Sequence, residues 1–133
     1  MNSNLKKWGT LAATGLATLA FLGAGSFKLM GAPEMVTVFE GFGLPIWFMY
    51  FVGTCEVSGA IGLWLTMAAP MVGYPLRLMA ALGLAILMAG ATVNHVMHDP
   101  INKAVPAVVL LAITLFLASC FRDKPAEATL GDD

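Results

Sequence analysis

Charge is scarce in this chain: seven Lys or Arg and eight Asp or Glu among 133 residues, or 11%. With a formal net charge of -1, the charges are spread between hydrophobic stretches and form no basic face, so nucleic acid is excluded as a partner. The two cysteines, Cys55 and Cys120, fall on different stretches without C-x-x-C spacing, which argues against electron transfer through a membrane thiol pair. Neither a Gly-rich phosphate loop nor a G-x-S-x-G elbow occurs, and no histidine pair sits midway on opposing segments for b-type haem. A self-sufficient enzyme is therefore not expected.

Apolar residues are abundant. Hydrophobic residues make up 59% of the chain and the mean hydropathy is +0.82, which marks an all-α integral membrane protein. Four stretches, 8–30, 45–69, 76–97 and 105–121, approach the roughly 20 residues a helix needs to cross a bilayer core. Short connections between them predict antiparallel neighbours in one transmembrane four-helix bundle over residues 1–122. The one substantial connection, 31–44, contains Pro33, Glu34, Glu40, Gly41 and Gly43, which exclude a fifth span; Met35, Val36, Val38, Phe39 and Phe42 suit a short interfacial helix. The tail, 123–133, with Pro125 and four acidic residues, reads as a disordered cytoplasmic end.

Lys6, Lys7, Arg77, Arg122 and Lys124 fall on one side of this four-span arrangement, and Lys28 and Lys103 on the other. The positive-inside rule then makes both termini cytoplasmic. Trp8, Trp64 and Tyr74 lie toward the inner boundary, and Trp47 and Tyr50 toward the outer one, as interfacial aromatic belts require. Lys6 and Lys7 before an apolar run ending in Gly23-Ala24-Gly25 also have the form of a secretory signal peptide. The run continues past Ser26 to Leu29 and Met30, however, which makes a full-length span.

Glu56 lies near the middle of the second stretch. An ionisable side chain at that depth costs roughly 2.5 to 3.5 kcal/mol on insertion scales and by default faces a protein interior or a functional site. Lys28 and His95, toward the outer ends of the first and third spans, can converge on it, with side chains leaning inward while Glu56 leans outward. Lys28 can instead snorkel to the headgroups, and the pair can serve only to lock helix register. His98, three residues after His95 and beside Asp99, can share its helix face and bind metal or carry protons. Two histidines fall short of a ligand set, and the nearest others, Glu34, Glu40 and Asp99, are on connections, so no metal is expected. Small residues crowd the second span (Gly53, Ser58, Gly59, Ala60, Gly62) and the third (Ala80, Gly83, Gly90, Ala91, Thr92), as close helix packing in lipid demands.

The runs Phe21-Leu22-Gly23-Ala24-Gly25-Ser26-Phe27-Lys28-Leu29, Pro33-Glu34-Met35, Phe39-Glu40-Gly41-Phe42-Gly43-Leu44-Pro45, Gly53-Thr54-Cys55-Glu56-Val57-Ser58-Gly59-Ala60 and Asn94-His95 together resemble the DoxX-like family. The resemblance implies a four-helix membrane bundle with Lys28, Glu56 and His95 as its polar core. It implies no single activity, since members include a small subunit of a thiosulfate-quinone oxidoreductase, a component of thiol and superoxide defence, and membrane chaperones or cargo receptors.

Two functions follow as expectations. One is a redox-associated accessory subunit of the bacterial inner membrane, holding a quinone-like ligand in a pocket open to the periplasmic side. There Glu56, Lys28, His95 and His98 bind the ligand or handle protons, between walls supplied by Met49, Phe51, Met88 and Trp47. The other is a non-catalytic assembly or chaperone-like partner of a larger complex. Partners are then the lipid bilayer, a membrane or periplasmic protein, or a second copy of the chain. Solute transport is disfavoured by the lack of broken-helix pairs and inverted repeats.

Overall fold

Helices account for the elements of the computed structural model, which describes residues 2–64 and 70–122. Residues 65–69 of the second expected span and the tail 123–133 lie outside the described residues. In chain order the helices are α1 (Ser3–Leu29), α2 (Pro33–Gly41), α3 (Ile46–Gly62), α4 (Pro70–His98) and, after a 3-10 turn at Ile101–Ala104, α5 (Val105–Arg122). α1, α4 from Pro75, and the 3-10 turn with α5 are each long and apolar enough to cross a membrane. α2 and α3 together form a fourth candidate, bent by 115° at their junction.

Local chemistry explains these boundaries. α1 begins earlier than the apolar pattern alone suggests because the Asn2 side chain accepts a hydrogen bond from the Asn4 N–H at 3.3 Å, capping the first turn. It runs unbroken through Gly23-Ala24-Gly25 and packs on α3, so this segment is an integral part of the bundle. α1 and α2 end in the same way. The Gly31 N–H donates to Lys28 O and the Ala32 N–H to Phe27 O, while the Gly43 N–H donates to Glu40 O and the Leu44 N–H to Phe39 O. Both are Schellman stops. They require a left-handed residue, and Gly31 and Gly43 supply it at φ of 66° and 72°. Pro33 then opens α2 at a position where a missing N–H costs nothing.

The four longer helices pack in a ring, α1 on α3, α3 on α4, α4 on α5 and α5 back on α1, with α2 laid against α3 and α1 at one end. Small residues set the spacing. A Cβ built on Gly53 would lie 2.9 Å from Lys28 Cβ, one on Gly59 would lie 2.7 Å from Leu84 Cδ2, and one on Gly62 would lie 2.8 Å from Ala80 Cβ. α3 therefore uses different glycines against its two neighbours. Gly83 and Gly90 behave otherwise: on α4 they have nothing within 4 Å of where a Cβ would stand. Large apolar chains such as Leu16, Leu19 and Met79 face outward, while Ala17, Ala60 and Ala81 are fully buried, the pattern of helices packed in lipid.

Hydroxyls are satisfied locally. Thr10, Thr14, Thr54, Thr92 and Thr114 each donate to the carbonyl four residues back, so they place no demand on other helices. Trp64 donates its indole N–H to Thr18 Oγ1 at 2.7 Å and ties the end of α3 to α1. Trp8 and Trp47 are exposed, as belt residues must be. At the end of the bundle holding Lys6 and Arg122, the Arg77 guanidinium lies 3.8 Å from the centre of the Phe121 ring.

Candidate functional site

The bundle opens at the end where α1 and α4 finish and α3 and α5 begin. A cavity there has a volume of about 510 Å³ and a wall that draws on all five helices, a size that suits a small organic ligand. The wall is mostly aliphatic and aromatic: Phe21, Val52, Met88 and Leu110 line it, with Met35, Val38, Phe39 and Phe42 covering one side from α2. Its polar members are Lys28, Glu56, Asn94 and His95.

Glu56 is the deepest of these. It stands ten residues into α3, roughly 15 Å below the start of that helix at 1.5 Å per residue, and its residue exposure is 1%. Lys28, in the last turn of α1, extends its four-carbon stem to it. Nζ lies 2.9 Å from Oε2 and 3.2 Å from Oε1, with side-chain exposures of 12% for Lys28 and 2% for Glu56. Lys28 thus pairs inward instead of snorkelling. The approach is close because Gly25, one turn before Lys28, faces Gly53, one turn before Glu56.

His95 lines the same cavity without joining that pair. Its Nδ1 lies 2.7 Å from Asp99 Oδ2, one helical turn on, and Asp99 Oδ1 is 4.0 Å from Lys103 Nζ. A carboxylate only accepts, so His95 Nδ1 carries the hydrogen and Nε2 is the nitrogen left for a ligand. The Phe42 ring meets the imidazole edge-on with centroids 5.0 Å apart, holding α2 against α4. His98 is exposed and turned back, its Nδ1 3.0 Å from Asn94 O. The expected grouping of Glu56, Lys28, His95 and His98 therefore resolves into a buried ion pair, a histidine-carboxylate pair at the rim, and an outlying histidine. Among the described residues no three His, Cys, Asp or Glu side chains group to hold a metal. Cys55 and Cys120 are free and half-buried.

The expected walls need correction. Met88 lines the cavity, but Met49 is buried elsewhere, and Trp47 and Phe51 face outward. Phe39, Phe42 and Phe48 take their place, with Phe39 and Phe48 in contact at 6.5 Å between centroids. The signal for α2 is visible in the sequence: Met35, Val38, Phe39 and Phe42 follow i, i+3, i+4, i+7 spacing, which gathers them on one helix face. Asp99, four residues after His95, was likewise readable as its partner.

Apolar helices of spanning length, arranged around a cavity with a buried ion pair, define a multi-pass integral membrane protein. The chain belongs to the DoxX-like family, whose model matches residues 12–117. That span includes the whole cavity wall. No curated protein and no solved structure matches the chain.

Proposed function

We propose that this protein is an accessory membrane subunit that holds an apolar, quinone-like ligand in the cavity, and that it serves a redox complex. The observation carrying this reading is the cavity itself: an apolar chamber of about 510 Å³ with a few convergent polar groups, Lys28, Glu56 and His95, the usual composition of a small-molecule site. Aromatic faces from Phe39, Phe42 and Phe48 suit a flat ring. His95 Nε2, with Nδ1 held by Asp99, suits proton exchange near the boundary.

Both termini are cytoplasmic in this reading and the cavity opens toward the periplasmic side of a bacterial inner membrane, as the excess of Lys and Arg at the opposite end favours. A second reading, an assembly partner without a small ligand, draws on Gly83 and Gly90. Both are exposed on α4 with nothing within 4 Å of the Cβ position; Gly90 borders the cavity, and Gly83, two turns further from its mouth, is where another helix can approach closely.

Native mass spectrometry of the gently extracted protein separates the two. A retained quinone or other redox-active molecule, lost when Ala91→Trp fills the cavity, supports the first reading. A stoichiometric protein partner with no small molecule supports the second.

A further inference from the structure

We propose that Lys28 Nζ is the group that meets the polar head of the ligand, and that its pairing with Glu56 makes the cavity select uncharged, hydrogen-bond-accepting amphiphiles over anionic ones. The inference rests on the ligand-binding reading above and names the chemical class the site takes.

An ammonium has three donors. Two of Lys28's point at the two Glu56 oxygens, at 3.2 and 2.9 Å, and the third has no partner among the described residues. Lys28 is also the more accessible of the pair, at 12% against 2%. Glu56, by contrast, accepts only, and both its oxygens are occupied by Lys28. A quinone carbonyl also accepts only, so Glu56 as a carboxylate cannot serve it and Lys28 can. Charge-assisted donation from an ammonium is the stronger kind of hydrogen bond.

Selectivity follows from the charge balance of the wall. Lys28 and Glu56 cancel. The remaining titratable side chain in the wall is His95, held by Asp99, which itself lies 4.0 Å from Lys103. An anionic head entering this chamber would meet a cation already engaged and a buried carboxylate beside it, away from water, where repulsion is poorly screened. An uncharged acceptor takes the third N–H and leaves the pair intact. Glu56 is thus a positioning residue: it engages two of the ammonium's three N–H groups and leaves the third for the ligand.

The test uses the full chain in nanodiscs with two probes, a 1,4-benzoquinone bearing a decyl chain and a fatty carboxylate of matched length. The wild type is expected to prefer the quinone by at least about tenfold, and infrared difference spectra should show the bound carbonyl band at lower frequency than in free quinone. Glu56→Gln frees the ammonium, so the preference should collapse or reverse toward the carboxylate. In the double variant Lys28→Met with Glu56→Leu, which leaves no donor at either position, the carbonyl band should return to its free position, with the carboxylate still excluded. That variant carries the test if the single one does not fold. A quinone that binds the wild type with an unshifted carbonyl band, or a preference unchanged in folded Glu56→Gln, overturns this inference while leaving the ligand-binding reading standing. Failure of the wild type to bind either probe removes both.

Discussion

Gly25 of α1 and Gly53 of α3 lie against each other so closely that a Cβ built on either would stand 3.0 Å from the carbonyl oxygen of the other. Each is one turn before a member of the ion pair, so this contact determines how near Lys28 stands to Glu56. The charged pair depends on two residues without side chains.

Alanine at either position should therefore destabilise the bundle by about 1 to 3 kcal/mol, the usual cost of overpacking. At Gly25 the new methyl also meets Val57 Cγ2 at 2.8 Å. Gly23→Ala is the control: nothing lies within 4 Å of its Cβ position, so only the gain in helix propensity remains, up to about 1 kcal/mol. Thermal unfolding in detergent of all three variants checks the contrast. Equal melting for Gly23→Ala and Gly53→Ala would contradict the close approach.

Glu56→Gln alone strands the Lys28 ammonium in the protein interior and should cost about 3 kcal/mol. Adding Lys28→Met removes the stranded charge, so the double variant should recover most of that loss. Unfolding midpoints of the four members of this cycle give the coupling directly. A double variant no more stable than the single one would mean that the pair is not self-contained.

Gly43 isolates backbone strain from packing, since its φ is 72° and nothing lies within 4 Å of its Cβ position. Gly43→Ala should cost about 1 kcal/mol, concentrated where the Gly43 and Leu44 amides close the end of α2. Hydrogen exchange should accelerate at those amides and leave the α1–α3 contact unchanged.

Phe42→Ala removes the edge-on contact with His95, the tilted contact with His98 at 5.5 Å and part of the cavity cover, each ring pair worth about 1 kcal/mol. Global stability should fall by at least that, since the area the ring buries is lost as well, and a bound quinone should leave faster. Stopped-flow displacement measures the rate. An unchanged off-rate would show that α2 does not cover the path out.

Single cysteines at Asn2 and Asp99, in a chain cleared of Cys55 and Cys120, test the orientation. A membrane-impermeant maleimide applied to intact spheroplasts should label position 99 and leave position 2 unlabelled until the membrane is broken. The reverse pattern would invert the protein.

The membrane class and the all-helical architecture are determined by the sequence itself, because lipid enforces long runs of apolar residues and leaves few alternatives to helix. The importance of Lys28, Glu56 and His95 is legible for the same reason, since a charge amid apolar residues is conspicuous at any register. Their division is only half so: His95 takes Asp99 by an i,i+4 contact at the end of α4, but that Lys28 joins Glu56 depends on rotations of α1, α3 and α4 that hydropathy does not encode. Those rotations are decided where surfaces meet, by Gly25 against Gly53, Gly59 against Leu84 and Gly62 against Ala80. The cavity belongs to the tertiary structure as well. It exists because two Schellman turns fold α2 back over the mouth of the bundle, bent 115° from α3, and bring Phe39 and Phe42 to a wall whose other side is built by residues far along the chain.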